Sequence, residues 1–267
     1  MSNSNKADSF GTSYVLNKIN EKNPIVFIHG VGLNKEIWGP QINFFKDYNT
    51  LTYDLLGHGD TPLKKPKVSF EDFSKQLIKL IDGLNFKKIH LVGFSLGALI
   101  SRHFASEYGD RLSSLNLHGS IYKRSIEQKR VVENRLELLK TDRPASKDRA
   151  IRRWFTAEYI KNKPEMYKNI YSMLDDNNPE NFLKAYKLFV FYQDDDGMLK
   201  KIYTSTLVTT GQNDVGSTKE MAINLSENIK NAKYAEIRNG KHLCSIEFSD
   251  EYNKILENFI DKNYDES

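Results

Sequence analysis

The chain has 267 residues, 39% hydrophobic and 12% aromatic, enough to bury a sizeable core as one α/β domain with an insertion or as two small domains. Its formal charge of +4 is mildly basic, but no aromatic-interleaved basic motif or zinc-finger spacing accompanies it, so a lysine-rich solvated surface is expected and no nucleic-acid partner. No apolar run approaches membrane-spanning length, residues 1–10 carry no apolar signal core, and the lone Cys244 excludes an internal disulfide and a multi-cysteine metal site; a cytoplasmic protein without membrane association is expected.

In chain order, Ser13 to Ile19 alternates as an edge strand would, and Pro24 to Ile28 is a continuous apolar run, the mark of a strand covered on both faces. That run enters the turn His29-Gly30-Val31-Gly32. Leu51 to Asp54 is the next strand and ends in Leu55-Leu56-Gly57-His58-Gly59-Asp60-Thr61. Ser69 to Leu84 has helical periodicity, with Phe70, Phe73, Leu77, Leu80 and Ile81 on one face and Ser69 and Asp72 as a capping pair. Lys88 to Val92 reads as a buried strand, Ala98 to Ala105 as a helix, and Gly93-Phe94-Ser95-Leu96-Gly97 lies between them. A short strand follows at Leu115 to Leu117.

From about 120 to 193 no strand is evident. Ile126–Leu139, Ser146–Ile160, Pro164–Leu174 and Pro179–Tyr192 have helical spacing. Asp194, Asp195 and Asp196 read as a solvated turn. The β/α alternation then resumes with strand Ser205 to Thr210, helix Lys219 to Ile229, strand Tyr234 to Ile237 and helix Asp250 to Tyr264. This pattern predicts a mostly parallel sheet flanked by helices, formed by residues 1–120 and 194–267, with residues 121–193 as a helical cap. In such sheets the active residues sit in loops at the carboxyl ends of the strands.

Gly-x-Ser-x-Gly between a strand and a helix makes a turn that lifts one hydroxyl above the sheet, with the helix N-terminus aimed at it. A serine becomes nucleophilic when a base takes its proton and a carboxylate orients that base. In the order Ser, Asp, His, the chain offers Ser95, Asp214 after the strand ending at Thr210, and His242 in the loop after the last strand. Of the other histidines, His90 and His103 fall inside elements, His29 and His58 in tight glycine turns, and His118 at the end of a strand. The N–H groups of Leu96 and Val31 are the candidates for meeting an oxyanion. No metal or cofactor is called for.

These motifs together — Phe27-Ile28-His29-Gly30, Tyr53-Asp54 with Gly57-His58-Gly59, the serine turn, Gly211 with Asp214, and His242 — resemble the α/β-hydrolase superfamily over about residues 13–262. Glu36-Ile37-Trp38-Gly39-Pro40-Gln41, Arg153-Trp154-Phe155-Thr156 and His242-Leu243-Cys244-Ser245-Ile246-Glu247 resemble its 3-oxoadipate enol-lactonase branch, whose members hydrolyse a carboxylate-bearing lactone without metal or cofactor. The resemblance implies a serine hydrolase cleaving a small-molecule ester or lactone. A C–C bond hydrolase of a vinylogous diketone uses the same triad, and a slow-turnover ligand sensor could retain it. Trp38, Trp154 and His29 are candidate substrate contacts. Cations from Lys123 to Arg153, among them Arg124, Arg130, Arg135, Arg143, Arg149, Arg152 and Arg153, either orient an anionic substrate or form outward faces of amphipathic helices. Outward faces are the expectation.

Overall fold

The structure, a computed structural model, describes residues 5–264. Its strands are β1 (Lys6–Ala7), β2 (Ser13–Asn17), β3 (Ile25–Ile28), β4 (Thr50–Tyr53), β5 (Ile89–Phe94), β6 (Leu112–His118), β7 (Thr206–Gly211) and β8 (Ala232–Ile237). They form one sheet in the order β1-β2-β4-β3-β5-β6-β7-β8; β1–β2 and β2–β4 pair antiparallel and the remaining pairs are parallel. Its helices are α1 (Gly39–Phe44), α2 (Phe70–Gly83), α3 (Leu96–Glu107), α4 (Ile126–Thr141), α5 (Arg143–Trp154), α6 (Ala157–Asn162), α7 (Pro164–Asp175), α8 (Pro179–Val190), α9 (Asp196–Leu199), α10 (Lys219–Glu227), α11 (Cys244–Glu247) and α12 (Ser249–Asp261).

The apolar runs are continuous because the sheet is covered twice. In β3, Val26 and Ile28 enter one core with Leu77, Leu80 and Leu99 of α2 and α3, whereas Ile25 and Phe27 enter a second with Tyr252 and Leu256 of α12. The expected cap of α2 is present: Ser69 Oγ accepts the Asp72 N–H and the Asp72 carboxylate accepts the Ser69 N–H. Helices α4 to α8 all lie between β6 and β7, with no strand among them.

The structure corrects several expectations. The helix expected over Ser146–Ile160 is two helices. Asp142 caps α5 by accepting the Ala145 N–H at 3.0 Å, and Thr156 caps α6 by accepting the Tyr159 N–H at 3.1 Å. Strand β1 and helix α1 were not expected. The acidic run is no solvated turn. Asp194 accepts from buried Arg102 of α3 at 3.0 Å and from the Lys123 N–H at 2.8 Å, Asp195 caps α9, and Asp196 accepts the Tyr122 hydroxyl at 2.8 Å. The two chain segments that enter and leave the helical insertion are thereby tied to each other and to α3.

Candidate active site

Strand β5 runs into Ser95, whose φ of 54° is rare for a residue with a side chain. The turn closes only because its flanks are glycine. A Cβ at Gly93 would stand 2.3 Å from Ser101 Oγ, and one at Gly97 2.4 Å from the Ile28 carbonyl oxygen. The Ser95 N–H donates to the His118 carbonyl at 2.9 Å, which anchors the strained residue to β6.

Three side chains from three loops meet here. His242 Nδ1–H donates to Asp214 Oδ2 at 2.6 Å, so Nε2 is free to accept the Ser95 hydroxyl at 3.1 Å. The second Asp214 oxygen accepts the N–H groups of Gly216 at 2.8 Å and Ser217 at 3.1 Å. Burial pushes the Asp214 carboxyl upward, but the His242 ring and these N–H donors outweigh it and hold the group below the usual carboxylate range. The imidazole is boxed in by Phe94, whose ring centroid is 4.8 Å away, and by Gly119, where a Cβ would lie 3.3 Å from Cε1. Phe94 and Gly119 escape sequence reasoning. The one signal for Gly119 is a glycine directly after a strand that ends beside the serine.

The turn after β3 lies against the serine: a Cβ at Gly30 would sit 2.9 Å from the Phe94 ring and 3.4 Å from Ser95 Cβ. Among the described residues, neither the Val31 N–H nor the Leu96 N–H donates to a protein carbonyl. Leu96 opens α3, so its N–H also carries the positive end of the helix dipole. This turn is held from both sides. Asp54 accepts from the Lys35 N–H and from Lys35 Nζ, both at 2.8 Å, and from the Asp60 N–H at 2.9 Å. From above, Asn177 Nδ2 donates to the Gly32 carbonyl at 2.7 Å.

Two of the expected substrate contacts are corrected. Trp38 is 1% exposed and packs on Phe27 at 5.0 Å between ring centroids, inside the second core. His29 is fully buried with both ring nitrogens used: Nδ1–H donates to the Gly30 carbonyl at 2.8 Å and Nε2 accepts the Leu55 N–H at 3.0 Å. Burial lowers its pKa to about 4, so it stays neutral. Trp154 is placed differently. It lines a cavity of about 280 Å³, and its ring centroid lies 6.4 Å from that of His242. His118 is buried against Phe94 and Tyr252, and its Nδ1 pairs with Thr209 Oγ1 at 3.1 Å. Burial pushes the Cys244 thiol well above its ordinary pKa, so it is no thiolate nucleophile.

The cavity lies under α4, α5 and α8, and its walls include Val31, Arg135, Arg149, Arg153, Trp154 and Tyr186. The arginines of the insertion therefore do not all face outward. Arg130 and Arg152 are exposed, Arg124 stacks on Phe189, and Arg135, Arg149 and Arg153 line the cavity. Among the described residues, no three His, Cys, Asp or Glu side chains form a metal-binding group, and no helix is long and apolar enough to cross a membrane.

Comparison with known proteins gives the same architecture. Residues 23–249 match the family model described as alpha/beta hydrolase fold. The chain is 28% identical over 246 residues to (E)-2-((N-methylformamido)methylene)succinate hydrolase of Acinetobacter baylyi, covering 90% of this chain and 91% of that protein. It is 23% identical to 3-oxoadipate enol-lactonase 2 of the same organism, covering 87% and 86%. Among solved structures, the enol-lactonase from Burkholderia xenovorans superposes with a TM-score of 0.86 at 22% identity, covering 96% of this chain and 99% of that one.

Proposed function

The chain belongs to the alpha/beta hydrolase fold family, and on that premise we propose that it is a serine hydrolase cleaving a carboxylic ester or lactone. The observation that carries this reading is the unbroken hydrogen-bonded line from Asp214 through His242 to the strained Ser95. His242 Nε2 takes the Ser95 proton as Oγ attacks the acyl carbon, and Asp214, kept ionised, stabilises the imidazolium. The N–H groups of Val31 and Leu96 receive the oxyanion. His242 then gives its proton to the leaving oxygen, and the alcohol or opened ring departs or swings away, leaving an acyl group on Ser95. A water deprotonated by His242 attacks that acyl group, and the proton returns to Ser95 as the acid is released. Helices α4 to α8 act as a cap over this centre.

An ester or lactone suits this geometry because its carbonyl oxygen needs two fixed donors and its leaving oxygen needs one proton, and no further group is required. The names of the relatives agree, since they include hydrolases and enol-lactonases. Ser95→Ala tests the proposal. With a panel of activated esters and small lactones, kcat should fall by about 10³-fold or more while the far-UV dichroism is unchanged. A variant with wild-type rates contradicts the proposal. Turnover of a dienoic diketone in place of esters would move the reaction to C–C cleavage by the same triad.

A further inference from the structure

Val31, whose N–H is offered to the oxyanion, stands between Gly30 and Gly32, and a turn with glycine on both sides is soft unless partners from outside hold it. The turn is closed by the Leu33 N–H on the Gly30 carbonyl at 3.2 Å, and Gly32 takes a φ of 79°, in the left-handed region. Lys35 and Asp54 hold its far end. Its other clamp comes from the helical insertion. Asn177, in the short link between α7 and α8, is buried, and its Nδ2 donates to the Gly32 carbonyl at 2.7 Å and to the Met173 carbonyl at 2.6 Å. Leu174 and Phe182, from the helices on either side of that link, press on the same glycine: a Cβ at Gly32 would stand 2.8 Å from the first and 2.5 Å from the second. Asn177 is itself fixed. Arg143 Nη2 of α5 donates to its carbonyl at 2.8 Å, and Asn178 caps α8 by accepting the N–H groups of Glu180 and Asn181, each at 3.1 Å.

We infer that Asn177 is a positioning residue for the oxyanion donor, so that hydrolysis requires the α7–α8 link to be seated on the turn from Gly30 to Leu33. It acts through Gly32: by fixing that carbonyl it fixes the torsions of the turn, and these aim the Val31 N–H. A misaimed donor loses more in the transition state, where the charge sits on the oxygen, than with the bound substrate, so the effect falls on kcat and not on KM. The inference rests on the serine-hydrolase reading and on Val31 as an oxyanion donor.

The test is steady-state kinetics on an activated ester with Asn177→Ala and with Asn177→Asp, which keeps the shape of the side chain but offers the Gly32 carbonyl no donor. Each should lower kcat about tenfold or more while KM changes less than about twofold. Asn178→Ala, which removes the exposed cap of α8 without touching Gly32, should lower the melting temperature and leave kcat as it was. A kcat for Asn177→Ala no lower than that of Asn178→Ala, or a loss confined to KM, overturns the inference. If neither Asn177 variant folds, hydrogen exchange of the unmodified protein with methylboronic acid decides. Ser95 Oγ adds to the boron, the serine proton passes to His242, and the anionic tetrahedral adduct places a boron-bound oxygen at the oxyanion position. Coupling between sites is reciprocal, so the adduct should slow amide exchange in residues 173–182 as well as in 30–33. Unchanged exchange in 173–182 overturns the inference. Failure of the hydrolase reading would show separately, as ester turnover that survives Ser95→Ala.

Discussion

Ser95, Asp214 and His242 were legible as residues because chain order and strand-end position single them out, and the structure brings the three into one hydrogen-bonded line. His29 was not legible. A histidine in a glycine turn beside the serine reads equally as a substrate contact or as a structural group, and only its two backbone partners decide for the latter. Four buried histidines have a measurable consequence. Burial lowers His29 and His90 to about 4 and His58 and His118 to about 3. In the unfolded chain each takes up a proton below about pH 6.5, whereas the folded protein excludes it. Their neutral form therefore supports the fold fully above that pH, and the support is lost as pH falls from there through the folded values. Each histidine adds a slope of at most about 1.4 kcal/mol per pH unit. The melting temperature should fall steadily from about pH 6.5 to about pH 5, before most carboxylates titrate. His90→Asn, remote from Ser95 and stacked on Tyr264, should make that fall shallower. A flat profile over this range contradicts the assignment.

At the scale of elements, strand β5, the serine turn and α3 follow directly from an apolar run, two obligatory glycines and a helical sequence. Less legible was the break between α5 and α6. Trp154-Phe155 continues the apolar stripe, so periodicity alone runs the helix on to Ile160, but Phe155 turns to extended backbone and the Thr156 oxygen caps the start of a new helix. The break serves the histidine loop. The Leu243 N–H donates to the Trp154 carbonyl at 3.1 Å, the Glu247 carboxylate accepts the Thr156 N–H at 3.0 Å and also its hydroxyl, and Gln41 Nε2 donates to the Ser245 carbonyl at 2.7 Å. The three stretches that resemble the enol-lactonase branch thus converge on one scaffold that fixes His242, and of their residues Arg153 and Trp154 reach the cavity. Glu247→Ala strands the Thr156 donors and should cost about 1–3 kcal/mol of stability, read as a lower urea midpoint. Glu247→Gln keeps an acceptor and should recover part of it. A midpoint unmoved by Glu247→Ala contradicts the scaffold role.

For the whole molecule, a mostly parallel sheet with a helical insertion between β6 and β7 was readable from alternation of strand and helix patterns. The cavity was not. Composition counts arginines without telling which side of an amphipathic helix meets solvent, and α4, α5 and α8 each have a second face turned toward one another or toward the sheet. Assembly of these helices turns Arg135 and Arg153 inward and leaves Arg130 and Arg152 outside. The helical insertion is hydrogen-bonded to the rest of the chain through Asn177 to Gly32, Trp154 to Leu243 and Thr156 to Glu247, and Arg102 of α3 meets Asp194 at its end. All of this matters for function only if Ser95 is the nucleophile. The most direct measurement is intact-mass and peptide mass spectrometry after rapid acid quench of the protein with an activated ester. One acyl group per chain is expected, carried on Ser95, absent from Ser95→Ala and lost on further incubation. An ester that is turned over with no acyl adduct on Ser95, or with the adduct on another residue, would contradict it.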